Sequence, residues 1–401
     1  MLGGFLLIPF FALYITQRFN VGMIEVGFLF SINSAGNIIG GLIGGALADK
    51  YGRKKLILFG LTVSGIGNIL MGLVDNLGLF FILAASLGLI GSLGGPARQA
   101  MVADLLPKEK QAEGFGILRI SFNLSATIGP IIGGILAAQS YLLIFIADAV
   151  CSIITAIIVF VVIPETKPQK EEGKPEETIM KTVIGYKEVL KDWVYMAFLS
   201  VSAIMIIVYM QMNSTLAVFL NSVHGFPASG YGLLLSMNAF IVVIFQFWIA
   251  RRISKRNPMK MMTFGTFFYV IGFGMYGFVS EVYLFFVAMI LITIGEMIVT
   301  PIGTTIASSF APEDKRGRYM AMYGFHWSIP SLFGVLLAGL VWNFLGSLWV
   351  WYLAAILCVI SMSGFWILRT AAKERLSREL EAPIKEVNLP KSIEDTTEVY
   401  I

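Results

Sequence analysis

The chain is poor in charge. Asp, Glu, Lys and Arg together make 13% of its 401 residues, about half the share of an ordinary soluble domain. That shortfall excludes a conventional soluble enzyme. The net charge of +4 is small, and it sits in short breaks between apolar runs, which excludes a disordered or nucleic-acid-binding chain. Only two cysteines are present, Cys151 and Cys358, both inside apolar runs. They cannot form a disulfide scaffold and show no metal-ligand spacing, so no metal site is expected. Two scattered histidines and the lack of a Gly-rich loop ending in Gly-Lys-Ser/Thr leave no hydrolytic, redox or ATP-using constellation. The chain is read as no enzyme, with no cofactor.

What is abundant is apolar. Hydrophobic residues make 57% of the chain and the mean hydropathy is +0.80. Apolar runs long enough for membrane helices fall at 1–17, 25–48, 56–74, 77–104, 113–138, 140–163, 193–221, 229–250, 259–280, 282–308, 317–344 and 347–371. The fold class is therefore all-α integral membrane, with twelve spans. Residues 164–192 form a charged linker, and 178–191 carry helical apolar spacing that predicts a surface amphipathic helix. Residues 372–401 form a charged tail. Lys and Arg crowd alternate breaks (Lys50, Arg53, Lys54, Lys55; Lys108, Lys110; Arg251, Arg252, Lys255, Arg256; Lys315, Arg316, Arg318), and the opposite breaks hold essentially Arg18. The positive-inside rule then puts linker, tail and both termini in the cytoplasm.

A shift of 205 residues lays one half of the chain on the other. Gly27, Ser31 and Asn33 fall on Gly232, Ser236 and Asn238; Pro96 and Pro107 on Pro301 and Pro312; Lys110 on Lys315; Gly134 on Gly339. Two like-oriented six-span bundles, 1–163 and 193–371, are expected, with a binding site near the midplane between them. At this offset the first span is about a dozen residues shorter than the seventh, which starts near Trp193. Sixteen apolar residues rise only about 24 Å, so the true start is expected upstream.

Two motifs carry a resemblance. Residues 45–55 read Gly-Ala-Leu-Ala-Asp-Lys-Tyr-Gly-Arg-Lys-Lys, and residues 125–134 read Ser-Ala-Thr-Ile-Gly-Pro-Ile-Ile-Gly-Gly. The first resembles the signature loop between spans two and three of the major facilitator superfamily. The second resembles the span-five motif of that family's drug:proton antiporters, and the stretch Pro96 to Asp104 looks like the same multidrug branch. The resemblance covers essentially the whole chain. It implies a secondary transporter of the prokaryotic cytoplasmic membrane, working as a monomer by a rocker motion. Its partners would be a small-molecule substrate, protons and the lipid bilayer. The expected activity is proton-coupled efflux of lipophilic or amphipathic compounds, driven by the proton gradient. The alternative is a symporter or facilitator importing a nutrient such as a sugar or short peptide.

The resemblance assigns a cytoplasmic latch to Gly45, Asp49, Gly52, Arg53 and Asp104. Asp49 would face the N-terminus of span eleven and Arg53 would pair with Asp104; the plain reading is a positive-inside loop. In the second half Ser254 replaces the acid, so no matching latch is expected. Gly129, Pro130, Gly133 and Gly134 would form a gate helix or simply a close-packing face. Here Ser125 and Ala126 replace an earlier family glycine, and span eleven has Val335 where span five has proline.

Charges inside spans are functional candidates. Glu296 lies about 14 residues into span ten, roughly 21 Å along the helix. An acid held out of water takes up a proton more readily. Glu296 would bind the coupling proton or a cationic substrate, or else pair with an arginine. Asp148 is a second candidate. Arg98 and Arg119 are the buried-cation candidates, with Glu113 or Asp148 as possible partners of Arg119. The family's Arg-x-x-Gln-Gly motif has no match. Asn33, Asn37, Asn123, Gln211, Asn213, Asn238 and Gln246 would line the substrate cavity, with aromatic surface from Tyr14, Tyr209, Phe325, His326 and Trp327. The alternative for the amides is helix–helix hydrogen bonding, worth about 0.6 kcal/mol each in membranes.

Overall fold

A computed structural model describes residues 1–166, 189–254, 256–312 and 315–373. The described residues of the first half hold α1 (Leu2–Phe19), α2 (Met23–Tyr51), α3 (Arg53–Leu73), α4 (Leu77–Ser92), α5 (Gly94–Leu105), α6 (Lys108–Gln139) and α7 (Tyr141–Val162). Those of the second hold α8 (Trp193–Met210), α9 (Thr215–His224), α10 (Ala228–Ile253), α11 (Pro258–Met275), α12 (Val282–Phe310), α13 (Arg316–Leu345) and α14 (Ser347–Ala371). No strand occurs among the described residues. The predicted linker helix falls almost wholly on 167–188 and the tail on 374–401, outside the described residues.

Among the described residues, eleven stretches are long and apolar enough to cross a membrane. The expected ninth span, 259–280, is the 18-residue α11, which is less apolar than the others. Its Met259, Met262, Gly265, Thr266, Tyr269, Gly272 and Phe273 are buried against neighbouring helices. A helix that shows protein on so much of its surface needs less lipid-facing hydrocarbon. Two expected spans are not single rods. Span four bends at Leu93, between α4 and α5. Span seven breaks at a 3-10 turn, Gln211–Asn213, with Ser214 outside helical geometry (φ −138°, ψ −82°) before α9 resumes.

The two halves meet through the glycines of the repeat. On one side α2 packs on α13: Gly27 lies against the backbone of Leu336, and Gly339 against the backbone of Met23. On the other side α6 packs on α10: Gly232 lies against the carbonyl of Pro130, and Gly134 approaches Ser229 so closely that a Cβ would stand 3.0 Å from its Cα. Gly27 and Gly232 are repeat mates, as are Gly134 and Gly339, so both interfaces are one design used twice. Lacking side chains, these positions let backbones approach in a way that a larger residue would prevent.

The close contacts fall toward the basic-poor end of the bundle. There Gln17 of α1 donates through Nε2 to Asn221 Oδ1 of α9 at 3.0 Å, and Phe10 meets Tyr231 edge-on at 5.9 Å. Arg18 pairs with Asp75 at the same end. Toward the basic-rich end Gly41, Gly95 and Gly324 face open space. The basic-rich ends of α10 and α14 carry Arg252 over the Trp248 ring at 4.3 Å and Arg369 over Trp366 at 4.0 Å. Such pairs suit a membrane–water boundary, where an aromatic body meets lipid and a cation meets headgroups.

Candidate functional site

Glu296 stands at the middle of α12, and its neighbours come from two other helices. α8 ends just before the break in span seven, which sets Tyr209 beside the acid. The Tyr209 hydroxyl donates to Glu296 Oε1 at 2.9 Å. From α10, Asn238 Nδ2 donates to Glu296 Oε2 at 3.0 Å and to Thr293 Oγ1 at 2.9 Å. The Tyr209 ring meets Trp327 edge-on at 5.7 Å and lies 6.1 Å from Tyr269. No Lys or Arg makes an ion pair with Glu296 among the described residues. The reading of Glu296 as half of a structural pair with arginine is therefore not what the structure places here. Its carboxyl is held by neutral donors, an arrangement that accommodates a proton or a bound cation.

α10 is tied to α12 a second time, because Gln246 Nε2 donates to the Met297 carbonyl at 3.1 Å. The break in span seven is itself stitched. Gln211 Nε2 donates to the carbonyls of Ile207 at 2.7 Å and Gly334 at 3.0 Å, and its Oε1 accepts from Thr215 at 2.7 Å. Tyr231 donates to the Met212 carbonyl at 2.6 Å. The bonds to Ile207 and Met212 satisfy carbonyls that the broken helix frees, which lipid could not do. Gln211 thus braces a bend, and Asn213 lies within that bend. His326 is buried, with Nδ1 on the Tyr323 carbonyl and its ring stacked on Tyr323 at 4.0 Å. Trp327 and Phe325 remain 39% and 46% exposed.

In the first half the expected partners change. Asp148 is buried, and its partner is the Nδ2 amide of Asn68 on α3. Arg119, expected as a buried cation, is exposed, so it does not pair with Asp148; the Glu113 side chain lies outside the described residues. Arg98 is also exposed, and lines one cavity together with Asp148. Asn33 donates to the Ala84 carbonyl and accepts from Asn37, each at 2.9 Å. That is helix-to-helix bonding for Asn33. Asn123 is half-buried on α6. Tyr14, expected on the cavity wall, is buried in a ring cluster with Phe80, Tyr141 and Phe145, because α1 turns it inward against α4 and α7.

Comparison with known proteins decides the family. The model of the Major Facilitator Superfamily matches residues 1–332 and 228–395. The chain belongs to the Major Facilitator Superfamily. A "Na(+), Li(+), K(+)/H(+) antiporter" of Planococcus maritimus is 25% identical over 350 residues, 80% of this chain and 82% of that one. A "Multidrug resistance protein MdtH" of Yersinia enterocolitica is 22% identical over 380 residues, 91% and 90% of the two chains. Among solved structures, a bacterial homolog of the lysosomal transporter Spinster, inward-facing and unoccupied, matches with a TM-score of 0.77 at 13% identity, covering 93% and 95%. The nucleoside transporter NupG matches at 0.76 and 13% identity, covering 92% and 95%. At such identities the structures establish the fold alone.

The facilitator signature loop takes its shape from Gly52, whose φ of +105° is open only to glycine. The turn brings buried Arg53 into an ion pair with Asp104 of α5. The side chain of Asp49 lies outside the described residues, while Gly45 sits within α2 with Pro96 alongside. Sequence reading missed Glu165, just past α7. Its carboxylate accepts from the backbone N–H of Lys54 at 3.0 Å and lies 3.4 Å from that of Lys55, capping α3. Acid at a helix N-terminus is a known stabiliser, yet Glu165 is more than a hundred residues away in the chain and no local pattern links them. α6 runs unbroken through Pro130, and Gly129 and Gly133 serve close packing on Phe5, Leu6 and Phe10 of α1.

Proposed function

We propose that this facilitator is a proton-coupled antiporter that exports lipophilic or amphipathic compounds across a prokaryotic cytoplasmic membrane. The observation that carries the reading is Glu296: an acid at the middle of α12, held by Tyr209 and Asn238 and paired with no cation among the described residues. Such a group exchanges one bound cation for another without a fixed charge competing for it. Trp327 and Tyr209 beside it offer ring faces to an organic cation. A Na(+), Li(+), K(+)/H(+) antiporter and a multidrug resistance protein among the relatives support the same class.

Alternating access follows from the halves. The interfaces at Gly27, Gly134, Gly232 and Gly339 bring the halves together toward the basic-poor end. With basic loops inside the cell, we read this as an inward-open arrangement. The rocker motion would part those glycine contacts and bring the Arg53–Asp104 region against the second half. Substrate then leaves outward as the proton enters. The chain works as a monomer, with both termini in the cytoplasm.

Everted vesicles carrying the protein and a pH-sensitive dye test the reading. Proton release from the lumen on adding a lipophilic cation such as tetraphenylphosphonium is expected. Release on adding only Na+ or K+ would move the assignment to alkali-cation exchange. Co-movement of protons with a sugar or peptide would move it to nutrient import.

A further inference from the structure

Beside Tyr209, away from Asn238, lies a small cavity of about 70 Å3 among α8, α11, α12 and α13. Its lining includes the polar side chains of Ser202, Tyr209, Thr300, Thr304, Tyr323 and His326. A water needs roughly 10–15 Å3 of such volume and two to four polar partners, so several fit. Ser202 provides an independent sign of occupancy. It is 3% exposed, and its Oγ has no hydrogen-bond partner among the described residues. A buried hydroxyl in that position calls for water.

The cavity also has a direction. Ser202 lies two turns before Tyr209 on α8, Thr304 on the second half of α12, and His326 on the first half of α13. All three positions lead from the level of Glu296 toward the basic-rich end. His326 Nδ1 is engaged by the Tyr323 carbonyl, which assigns its proton to Nδ1 and leaves Nε2 as an acceptor. The titratable groups facing Glu296 are few: Tyr209 from α8 and Tyr269 from α11, with Asn238 of α10 supplying only an amide.

We infer that this cavity holds a water file through which Glu296 exchanges its proton with the basic-rich side. The inference rests on the reading of Glu296 as the proton site. In export, Glu296 empties toward the basic-rich side: its Oε1–H bond breaks and the proton passes to the Tyr209 oxygen, while the Tyr209 O–H bond breaks and its proton passes to a water of the file. Tyr209 ends as it began, and the file hands its extra proton to the basic-rich side. Reloading comes from the basic-poor side after the rocker motion.

Ser202→Leu fills the file and removes its free hydroxyl without touching Glu296 or Asn238. Tetraphenylphosphonium affinity is expected to stay within about two-fold of the unaltered protein. Dye-reported proton release is expected to fall about ten-fold or more. A second measurement does not depend on that variant folding well. In a Cys151→Ser, Cys358→Ser background, the thiol introduced by Ser202→Cys is expected to react with Ag+, scored as blocked maleimide labelling after denaturation. Unaltered proton release in Ser202→Leu, with Glu296→Gln inactive, overturns the water file and leaves the proton site standing. A thiol at this position that Ag+ does not reach also overturns it. Full proton release in Glu296→Gln removes the reading beneath it, and the file with it.

Discussion

Asn33 and Asn238 stand 205 residues apart and tie the second span of each half to the fourth, but only Asn238 ends on an acid. Asn33 donates to the Ala84 carbonyl, and Asn238 to Thr293 and Glu296. At the level of Glu296 the first half carries Gly91. The repeat thus kept a structural amide in both halves and placed a protonatable group under one of them.

That asymmetry separates two substitutions. Asn33→Ala is expected to lower stability by about 0.6 kcal/mol, the usual worth of such a bond in a membrane, and to spare proton coupling. Asn238→Ala removes one of two donors to the Glu296 carboxyl and is expected to cut dye-reported proton release by about ten-fold. Thermal unfolding in detergent and the vesicle assay, run on both variants, check the contrast.

Much of this frame is legible in the sequence, and the failures share a cause. The repeat follows from spacing and hydropathy, which are properties of the chain read in order, and the Arg53–Asp104 pair from the resemblance of residues 45–55 to the facilitator signature loop. Glu296 stands out in the sequence as a charge inside a span, while its neutral partners show only in the structure. The break at Gln211–Ser214 left no mark, because Gln211, Tyr231 and Thr215 repair it from three places and the run stays apolar throughout. Arg119 and Tyr14 were misplaced because a polar or aromatic residue in a span does not reveal which way its helix is turned. Glu165 was missed because its partners at the start of α3 lie in another part of the chain.

Gly52→Ala is expected to destabilise the loop by about 1–3 kcal/mol, since φ of +105° is closed to alanine. The new Cβ would also stand 2.6 Å from Glu165 Oε2, displacing the cap of α3. A fall in unfolding temperature, with Gly45→Ala much milder because its Cβ meets only Pro96 at 4.0 Å, is the outcome to look for. Equal effects at both positions would remove backbone strain as the cause.

The Arg53–Asp104 pair is tested by a cycle. Arg53 is buried, so Arg53→Ala leaves Asp104 facing a hole and is expected to slow transport. Asp104→Ala removes the carboxylate that Arg53 pairs with and is expected to cost about 1–3 kcal/mol, the range of a charged hydrogen bond, since Asp104 itself is partly exposed. The double variant should recover part of that loss. Strictly additive losses in stability and transport would mean that the pair is not a unit.

The basic-poor closure can be trapped. A short bifunctional thiol reagent is expected to join Gln17→Cys to Asn221→Cys, whose native side chains lie in hydrogen bond. Transport should stop on linking and return on cleavage of the linker. Adding Gly27→Val, which drives a side chain into the backbone at Leu336, should reduce linking by favouring separation of the halves. Unchanged linking would show that these glycines do not control closure.

The central claim is that Glu296 carries the coupling proton. Everted vesicles containing Glu296→Gln, given a lipophilic cation and read with a pH-sensitive dye, address it directly. The account predicts that proton release disappears in Glu296→Gln and survives in part in Glu296→Asp. Full proton-driven export by Glu296→Gln would contradict it.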